Sequence, residues 1–349
     1  MKQYLLPENG KFYKANMHIH TTVSDGRMTV EDVKKYYKNN GYSIVAFTDH
    51  EVLVPHNDLA DEDFLPITSY EISLDDGWPG GYQYIKYYHL NLYAKDKEAT
   101  ISSVFSERSI WLEHSKKYIA EECAKVQYER HYSIEGVNDI IKKAKEEGFL
   151  VCYNHQVWSR QRYPEYASLK GLWGVEVFNS GCYRDGCLQN TQVFDDLLHE
   201  NENVFPIAAD DAHDVSACGY GWIQIKAEKL EYNTIMGALE RGAFYASTGP
   251  EIYDLHIEDG VLHMSTSDVT KVFLCTERRY SRVKMGSEEK PINEAVFELN
   301  SYIRDCSKTS CLRYRPWFRL EVFDKCGKSA QTRAYYVDEL VKARLAENS

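Results

Sequence analysis

Ile44-Val45-Ala46-Phe47-Thr48-Asp49-His50 is the stretch on which the fold reading turns. Its four apolar residues read as a buried strand, and Thr48-Asp49-His50 closes it. Before it, Thr29 to Asn40 reads as a helix. Thr29 is placed as N-cap, Asp32 sits at the third position where a capping-box acid would be, and Gly41 stops the run. The same cadence continues outward. Ile134 to Glu147 predicts a helix stopped by Gly148, and Phe149 to Tyr153 predicts a strand. Val175 to Phe178 predicts a further strand, Leu188 to Glu200 a helix, Val204 to Ala209 a strand, and Glu231 to Arg241 a helix closed by Gly242. Helix and strand in alternation imply βα units and a mainly parallel sheet.

After Gly249-Pro250 the pattern changes. Leu255-His256-Ile257, Lys271 to Cys275 and Phe318 to Phe323 alternate apolar and polar residues, and turn signals at Glu258-Asp259-Gly260, Met285-Gly286-Ser287 and Asp324 to Gly327 separate them. This predicts a small antiparallel, sandwich-like β domain. Charge supports the division: residues 1–249 carry 25 Lys and Arg against 37 Asp and Glu, whereas residues 250–349 carry 16 of each. The expected domains are therefore 1–249 and 250–349. The Gly- and Tyr-rich residues 75–88 read as a loop, and residues 105–130 as a helical insertion.

The chain has 349 residues, 43% hydrophobic and 27% charged, enough for a large core, and its net charge of −12 makes it a poor non-specific binder of nucleic acid or anionic membrane. No apolar run is long enough to cross a bilayer, and residues 1–10 lack the apolar core of a signal peptide, so a cytoplasmic location is expected. Nine cysteines cannot all pair with one another, and Cys182/Cys187 and Cys306/Cys311 have no zinc-ribbon spacing; reduced structural thiols are expected.

Of twelve histidines, six share one context: His18, His20, His50, His89, His155 and His213, most of them at or just past the end of a predicted strand. In a parallel barrel such ends share one face, and that face holds the active site. In His18-Ile19-His20 the period of two sends both rings to one side, where they can chelate one ion; Asp211-Ala212-His213 repeats this with a carboxylate. Glu71 follows an apolar run in a similar place. His56, His114, His131, His199, His256 and His263 lie in other contexts and are read as ordinary surface or hydrogen-bonded residues.

Met17-His18-Ile19-His20-Thr21, Ser24-Asp25-Gly26, Phe47-Thr48-Asp49-His50-Glu51, Glu71, His89, Asn154-His155 and Asp210-Asp211-Ala212-His213, in that order, resemble the polymerase and histidinol phosphatase (PHP) superfamily. The resemblance implies a distorted (β/α)7 barrel, TIM-like, and two or three divalent metal ions: Mn, Zn or Fe, with Mg a further option. It implies that His18, His20, Glu71 and Asp211 hold a first ion. Glu71 bridges to a second with His89 and His155, and Asp25, His50 and His213 hold a third. Asp25 stands where some relatives carry a histidine, and its oxygen favours a harder ion. Asp49 is expected to orient an imidazole, and Asp210 to do likewise or to serve the fold.

Such a site implies a metal-activated water attacking a phosphoester, with Glu71, His18 and Asp211 as the catalytic core. Neither a GxSxG nucleophile motif nor a GxxxxGK[ST] phosphate loop is present. A phosphate substrate calls for a guanidinium partner, and the candidates for substrate binding are Arg160, Arg184 and Asn179, with Arg162 beside Arg160. Trp158, Tyr183 and Trp222 are candidates for stacking on a ring. Arg304, Lys308, Arg313, Arg315 and Arg319 read as a solvated basic stretch of the β domain. The expected activity is hydrolysis of a small phosphomonoester or nucleotide, releasing inorganic phosphate, with no long nucleic acid and no membrane as partner; the oligomeric state is open. The alternatives are a metal-dependent hydrolase of carboxylic or carbamate esters and a non-catalytic, metal-stabilised binding protein.

Overall fold

The strand ending at His50 lies within a mixed α/β fold built on one large sheet. It is seen in a computed structural model that describes residues 2–188, 191–200, 202–308 and 314–346. In chain order the strands are β1 (Lys2–Tyr4), β2 (Lys11–Asn16), β3 (Ile44–Phe47), β4 (Leu65–Asp75), β5 (Tyr87–Ala94), β6 (Phe149–Tyr153), β7 (Gly174–Asn179), β8 (Phe205–Ala209), β9 (Trp222–Ala227) and β10 (Phe244–Ser247). There follow β11 (Ile252–Glu258), β12 (Val261–Val269), β13 (Lys271–Thr276), β14 (Arg282–Met285), β15 (Ile292–Glu298), β16 (Trp317–Phe323), β17 (Ser329–Thr332) and β18 (Tyr335–Tyr336).

The helices follow local chemistry. In Val30–Asn39, the side chain of Thr29 accepts from the Asp32 N–H, and Val33 and Tyr37, one turn apart, bury the apolar face. Helices Ile134–Glu146, Gln192–His199 and Tyr232–Glu240 lie where alternation places them and pack their apolar faces into one core with β4 to β10.

The sheet departs from expectation in two ways. It is mixed rather than mainly parallel: β2, β3 and β4 run parallel, β5 runs antiparallel to both β4 and β6, β6, β7 and β8 are parallel, and β9 and β10 are antiparallel to their neighbours. It also does not close into a (β/α)7 barrel. Among the described residues β8 pairs in the ladder with β7 alone, and past its end an isolated bridge joins Ile19 and Ala212, where His20 N–H donates to Ala212 O and Asp211 N–H to His18 O. The cause lies in the connections. A direct hairpin loop between β4 and β5 forces antiparallel pairing, whereas a parallel neighbour needs a long crossover.

Residues 105–130 are not a helical insertion. They form short 3-10 turns at Glu107–Ser109, Glu113–Tyr118 and Cys123–Lys125 inside irregular chain. The helix expected from Leu188 starts at Gln192; residues 189 and 190 lie outside the described residues.

Beyond Pro250 two antiparallel groups appear. β1, β11, β12 and β15 form a four-stranded sheet, and β13, β14, β16, β17 and β18 extend the large sheet through the β10–β17 ladder. Leu255, Leu262, Met264, Leu274, Phe297, Phe318 and Leu320 form a second core, which also takes Leu5, Leu6 and Tyr245 from the other end of the chain. Arg319 is not solvated, because it is buried with its guanidinium bidentate on Asp195 at 2.7 and 2.8 Å, tying β16 to the helix Gln192–His199. Arg315 pairs with Asp338 and Glu339, and Arg304 is exposed. Cys311 and Arg313 lie outside the described residues, as does the side chain of Lys308. The other eight cysteines are free thiols, six of them buried.

Candidate metal centre

His18 and His20 follow β2, whose extension past Asn16 is held to Thr48, just beyond β3, by two bonds: Ile19 N–H to Thr48 Oγ1 and Thr48 N–H to Ile19 O. Both rings are fully buried and face the same way, as the period of two predicts. Their Nε2 atoms lie 3.2 Å apart. Two carboxylates meet them. Asp211 Oδ1 lies 3.2 Å from His18 Nε2 and 3.0 Å from His20 Nε2, while Glu71 Oε1 and Oε2 each lie 3.4 Å from one of the same pair of nitrogens.

Glu71 sits within β4 rather than after it. Its Oε1 is 3.2 Å from His89 Nδ1 and 3.3 Å from His155 Nε2, and its Oε2 is 3.1 Å from His50 Nδ1. His89 arrives because β5 is antiparallel, which puts the start of that strand beside the ends of its parallel neighbours. Asp25 lies 3.4 Å from His213 Nε2, 3.7 Å from His20 Nδ1 and 3.9 Å from His50 Nε2. The structure therefore brings together all nine side chains singled out for metal binding. Asp25 and His213 are the most open of them, with side chains 24% and 41% exposed.

The backbone is bent to achieve this. His155 and Asp211 have φ of 23° and 49°, left-handed values that few non-glycine residues adopt and that collect at functional sites. Gly26 turns the chain back after Asp25; a Cβ there would stand 2.2 Å from His20 O, so Ser24-Asp25-Gly26 needs glycine for close approach.

Electrostatics follow from this packing. Burial opposes charge on Glu71, but the imidazoles of His89, His18 and His50 outweigh it and hold the carboxyl well below its ordinary range. Asp211 is likewise held low, chiefly by His18 and His20, against burial. Burial lowers the basicity of His20, yet Asp211 and Glu71 raise it to about 10, whereas burial and the neighbouring His20 depress His50 to about 3.

Divalent ions fit this donor set. Bonds of about 2.0–2.2 Å put neighbouring donors on one ion about 3.0–3.5 Å apart, the spacing that the Nε2 and carboxylate atoms here show. Buried His20 Nδ1, His50 Nδ1, His89 Nδ1 and Glu71 Oε2 have no hydrogen-bond partner, a costly state that a cation relieves. Four sets converge, each with donor atoms within 4.8 Å: His20, Asp25, His50 and His213; His18, His155 and Asp211; His18, His20 and Glu71; Glu71, His89 and His155.

Around these stand residues that the motif reading missed or placed differently. Glu176, an acid inside the apolar strand β7, is fully buried, and its Oε1 lies 2.7 Å from His18 Nδ1 while its Oε2 accepts from the His155 N–H at 2.9 Å. A lone carboxylate in an apolar strand was the available signal. Asn179 donates to Asp211 at 3.0 Å and to Glu176 at 2.9 Å and caps a short helix, so it orients Asp211 from within the wall rather than facing a substrate. Asp49 touches no imidazole; it accepts from the Thr21 and Ser24 N–H groups and hydroxyls and thereby shapes the turn between His20 and Asp25. Asp210 serves the fold, accepting from Tyr37 and from the N–H groups of Gly219, Tyr220 and Gly221.

A cavity of about 1080 Å³ opens over the cluster. Arg108, Arg130 and Arg184 line it together with Trp111 and Trp158. Arg160 does not line it and is exposed, and so is Arg162. Arg184 is committed in part to Ser216 and lies 3.8 Å from Asp214. The Arg130 side chain is buried; its Nη1 donates to both Glu51 oxygens at 2.7 and 2.9 Å and to Ser73 O, while Nε and Nη2 donate to Val104 O. Neither Tyr183 nor Trp222 lines the cavity; Trp222 packs on Lys14 and Tyr42.

Fold and site together define a mixed α/β protein with a largely buried centre of six histidines and three carboxylates suited to divalent ions. Residues 16–177 match the PHP domain family. No curated protein matches the chain. Among solved structures it is similar to a two-domain protein from Bacteroides vulgatus containing a predicted PHP-like metal-dependent phosphoesterase, at 13% identity over 96% of this chain and 97% of that one, with a TM-score of 0.44. It is also similar to the lesion-specific endonuclease EndoQ of Pyrococcus furiosus, at 18% identity over 66% of this chain and 56% of that one, with a TM-score of 0.43.

Proposed function

We propose that the chain is a metal-dependent phosphoesterase that hydrolyses a small phosphomonoester or nucleotide. The observation that carries this reading is the convergence of His18, His20, Glu71 and Asp211 on one buried point, with donor spacings of 3.0–3.4 Å, in a chain whose residues 16–177 match the PHP domain family. His18, His20, Glu71 and Asp211 would hold one ion, Glu71, His89 and His155 a second, and Asp25, His50 and His213 a third, with Mn, Zn, Fe or Mg as occupants. Bound divalent ions supply the charge that makes water nucleophilic near neutral pH and that stabilises phosphoryl oxygens.

The chain's own groups prepare that chemistry. Glu176 accepts a hydrogen bond from His18 Nδ1–H and leaves Nε2 free to face Glu71 and Asp211. Glu71 spreads its two oxygens between the His18/His89/His155 side and the His20/His50 side. Arg108 and Arg184 bring positive charge to the cavity wall, which suits an anionic substrate. The net charge of −12 favours a small phosphate ester over a long polyanion. Residues 1–249 would form the catalytic unit, and residues 250–349 an accessory β unit that packs against it. A cytoplasmic setting belongs to the same proposal; no helix among the described residues is long and apolar enough to cross a membrane.

Purified protein supplied with Mn²⁺ should hydrolyse p-nitrophenyl phosphate or a nucleoside monophosphate, and His18→Ala should abolish the activity. Metal-dependent turnover that survives this substitution would overturn the reading. Cleavage of carboxylic or carbamate esters without any phosphate ester would move the assignment to that hydrolase class.

A further inference from the structure

On the four-stranded sheet of β1, β11, β12 and β15, alternate residues face opposite ways. Leu255, Ile257, Leu262 and Met264 point into the second core, which leaves Asp254, His256 and Glu258 of β11 and His263 of β12 on the outer face. The register sets His256 directly opposite His263, and their rings stack with centroids 5.0 Å apart and planes 10° from parallel. One nitrogen of each ring and one Glu258 oxygen lie within 4.8 Å of one another. Asp254 Oδ2 lies 2.5 Å from His256 Nδ1. Tyr4, across from His256 on β1, packs its ring 5.6 Å away, and Lys2 holds its ammonium over that same ring.

We propose that His256, His263 and Glu258 form a second, independent metal site for a borderline divalent cation of the Zn²⁺ class. Two imidazoles and one carboxylate are a common three-ligand set for zinc, with the fourth position left to solvent. Imidazole donors favour Zn²⁺, Ni²⁺ or Cu²⁺ over Mn²⁺ or Mg²⁺. With the Asp254 carboxylate accepting a hydrogen bond from His256 Nδ1–H, the lone pair lies on Nε2 and the ring is fixed, the arrangement that metal-bound histidines adopt. The ion would pin β11 to β12 from outside, opposite the apolar core, and this does not depend on the PHP site or its activity.

Zn²⁺ bound at fixed free concentration is to be counted by equilibrium dialysis for the full chain and for His263→Ala, with circular dichroism as a folding check and His263→Gln in reserve. The full chain should hold one equivalent more than the variant. Asp254→Asn should weaken that equivalent about 10–100-fold. His18→Ala, which removes a ligand of the PHP site, should retain it. Equal Zn²⁺ counts for the full chain and the folded His263 variant at every free concentration would overturn the proposal, as would loss of the extra equivalent in His18→Ala.

Discussion

His18 Nδ1 lies 2.7 Å from Glu176 Oε1, with both side chains fully buried. The contact joins β7 to the extension of β2 and decides which nitrogen of His18 faces Glu71 and Asp211. Glu176→Gln keeps the shape but loses the charge. Mn²⁺ affinity should fall about 10–100-fold, as measured by isothermal titration, with little loss of fold.

Glu176→Ala should do more. It strips partners from the His155 N–H and the Asn179 amide, both buried. Each orphaned donor costs about 1–3 kcal/mol, so urea unfolding should show a clear loss of stability that the Gln variant largely avoids.

Metal removal should destabilise the folded chain. A ligand present at 100 times its dissociation constant contributes about 2.7 kcal/mol, equivalent to several degrees in Tm. Thermal scans with chelator and with Mn²⁺ should differ by that order in the native chain. The difference should shrink in Glu71→Gln, whose side chain touches five of the histidines.

The Arg130–Glu51 pair is buried, with Nη1 shared between both carboxylate oxygens, so breaking one side leaves an unpaired charge. Arg130→Met should cost about 3–5 kcal/mol in denaturant unfolding. Adding Glu51→Gln should recover part of that loss; an additive double variant would show that the two side chains do not interact.

Gly26→Ala places a Cβ where His20 O already stands. The turn carrying Asp25 must shift, and the ion expected at Asp25, His50 and His213 should bind more weakly or be lost. Metal counting on this variant should fall short of the native chain while far-UV circular dichroism stays unchanged.

Much of this was readable in the residues. Thr29, Asp32 and Gly41 mark their helix because capping is local chemistry, and His18-Ile19-His20 points its rings together because strand period is fixed by geometry. Direction is not local: nothing in Tyr87 to Leu92 says that β5 runs against its neighbours, and this reversal is what delivers His89. Glu176 escaped because its partners at the centre, His18 and the His155 N–H, come from elements more than 20 positions away and follow no spacing rule. Arg160 follows the motif residue His155 and Asn179 closes a strand, and neither position distinguishes a side chain in a cavity from one outside it or behind its wall. Residues 105–130 carry alternating charge without an apolar stripe, and that pattern suits turns as well as helices.

The ladder from β10 into β17 has an engineering consequence. A chain cut after Gly249 would bare one side of β10, and an uncovered strand edge recruits other chains. Someone seeking a minimal fragment would be wiser to retain everything through β18 than to trim at the glycine-proline junction, because the seam between the halves is stitched by main-chain bonds rather than hinged by a linker.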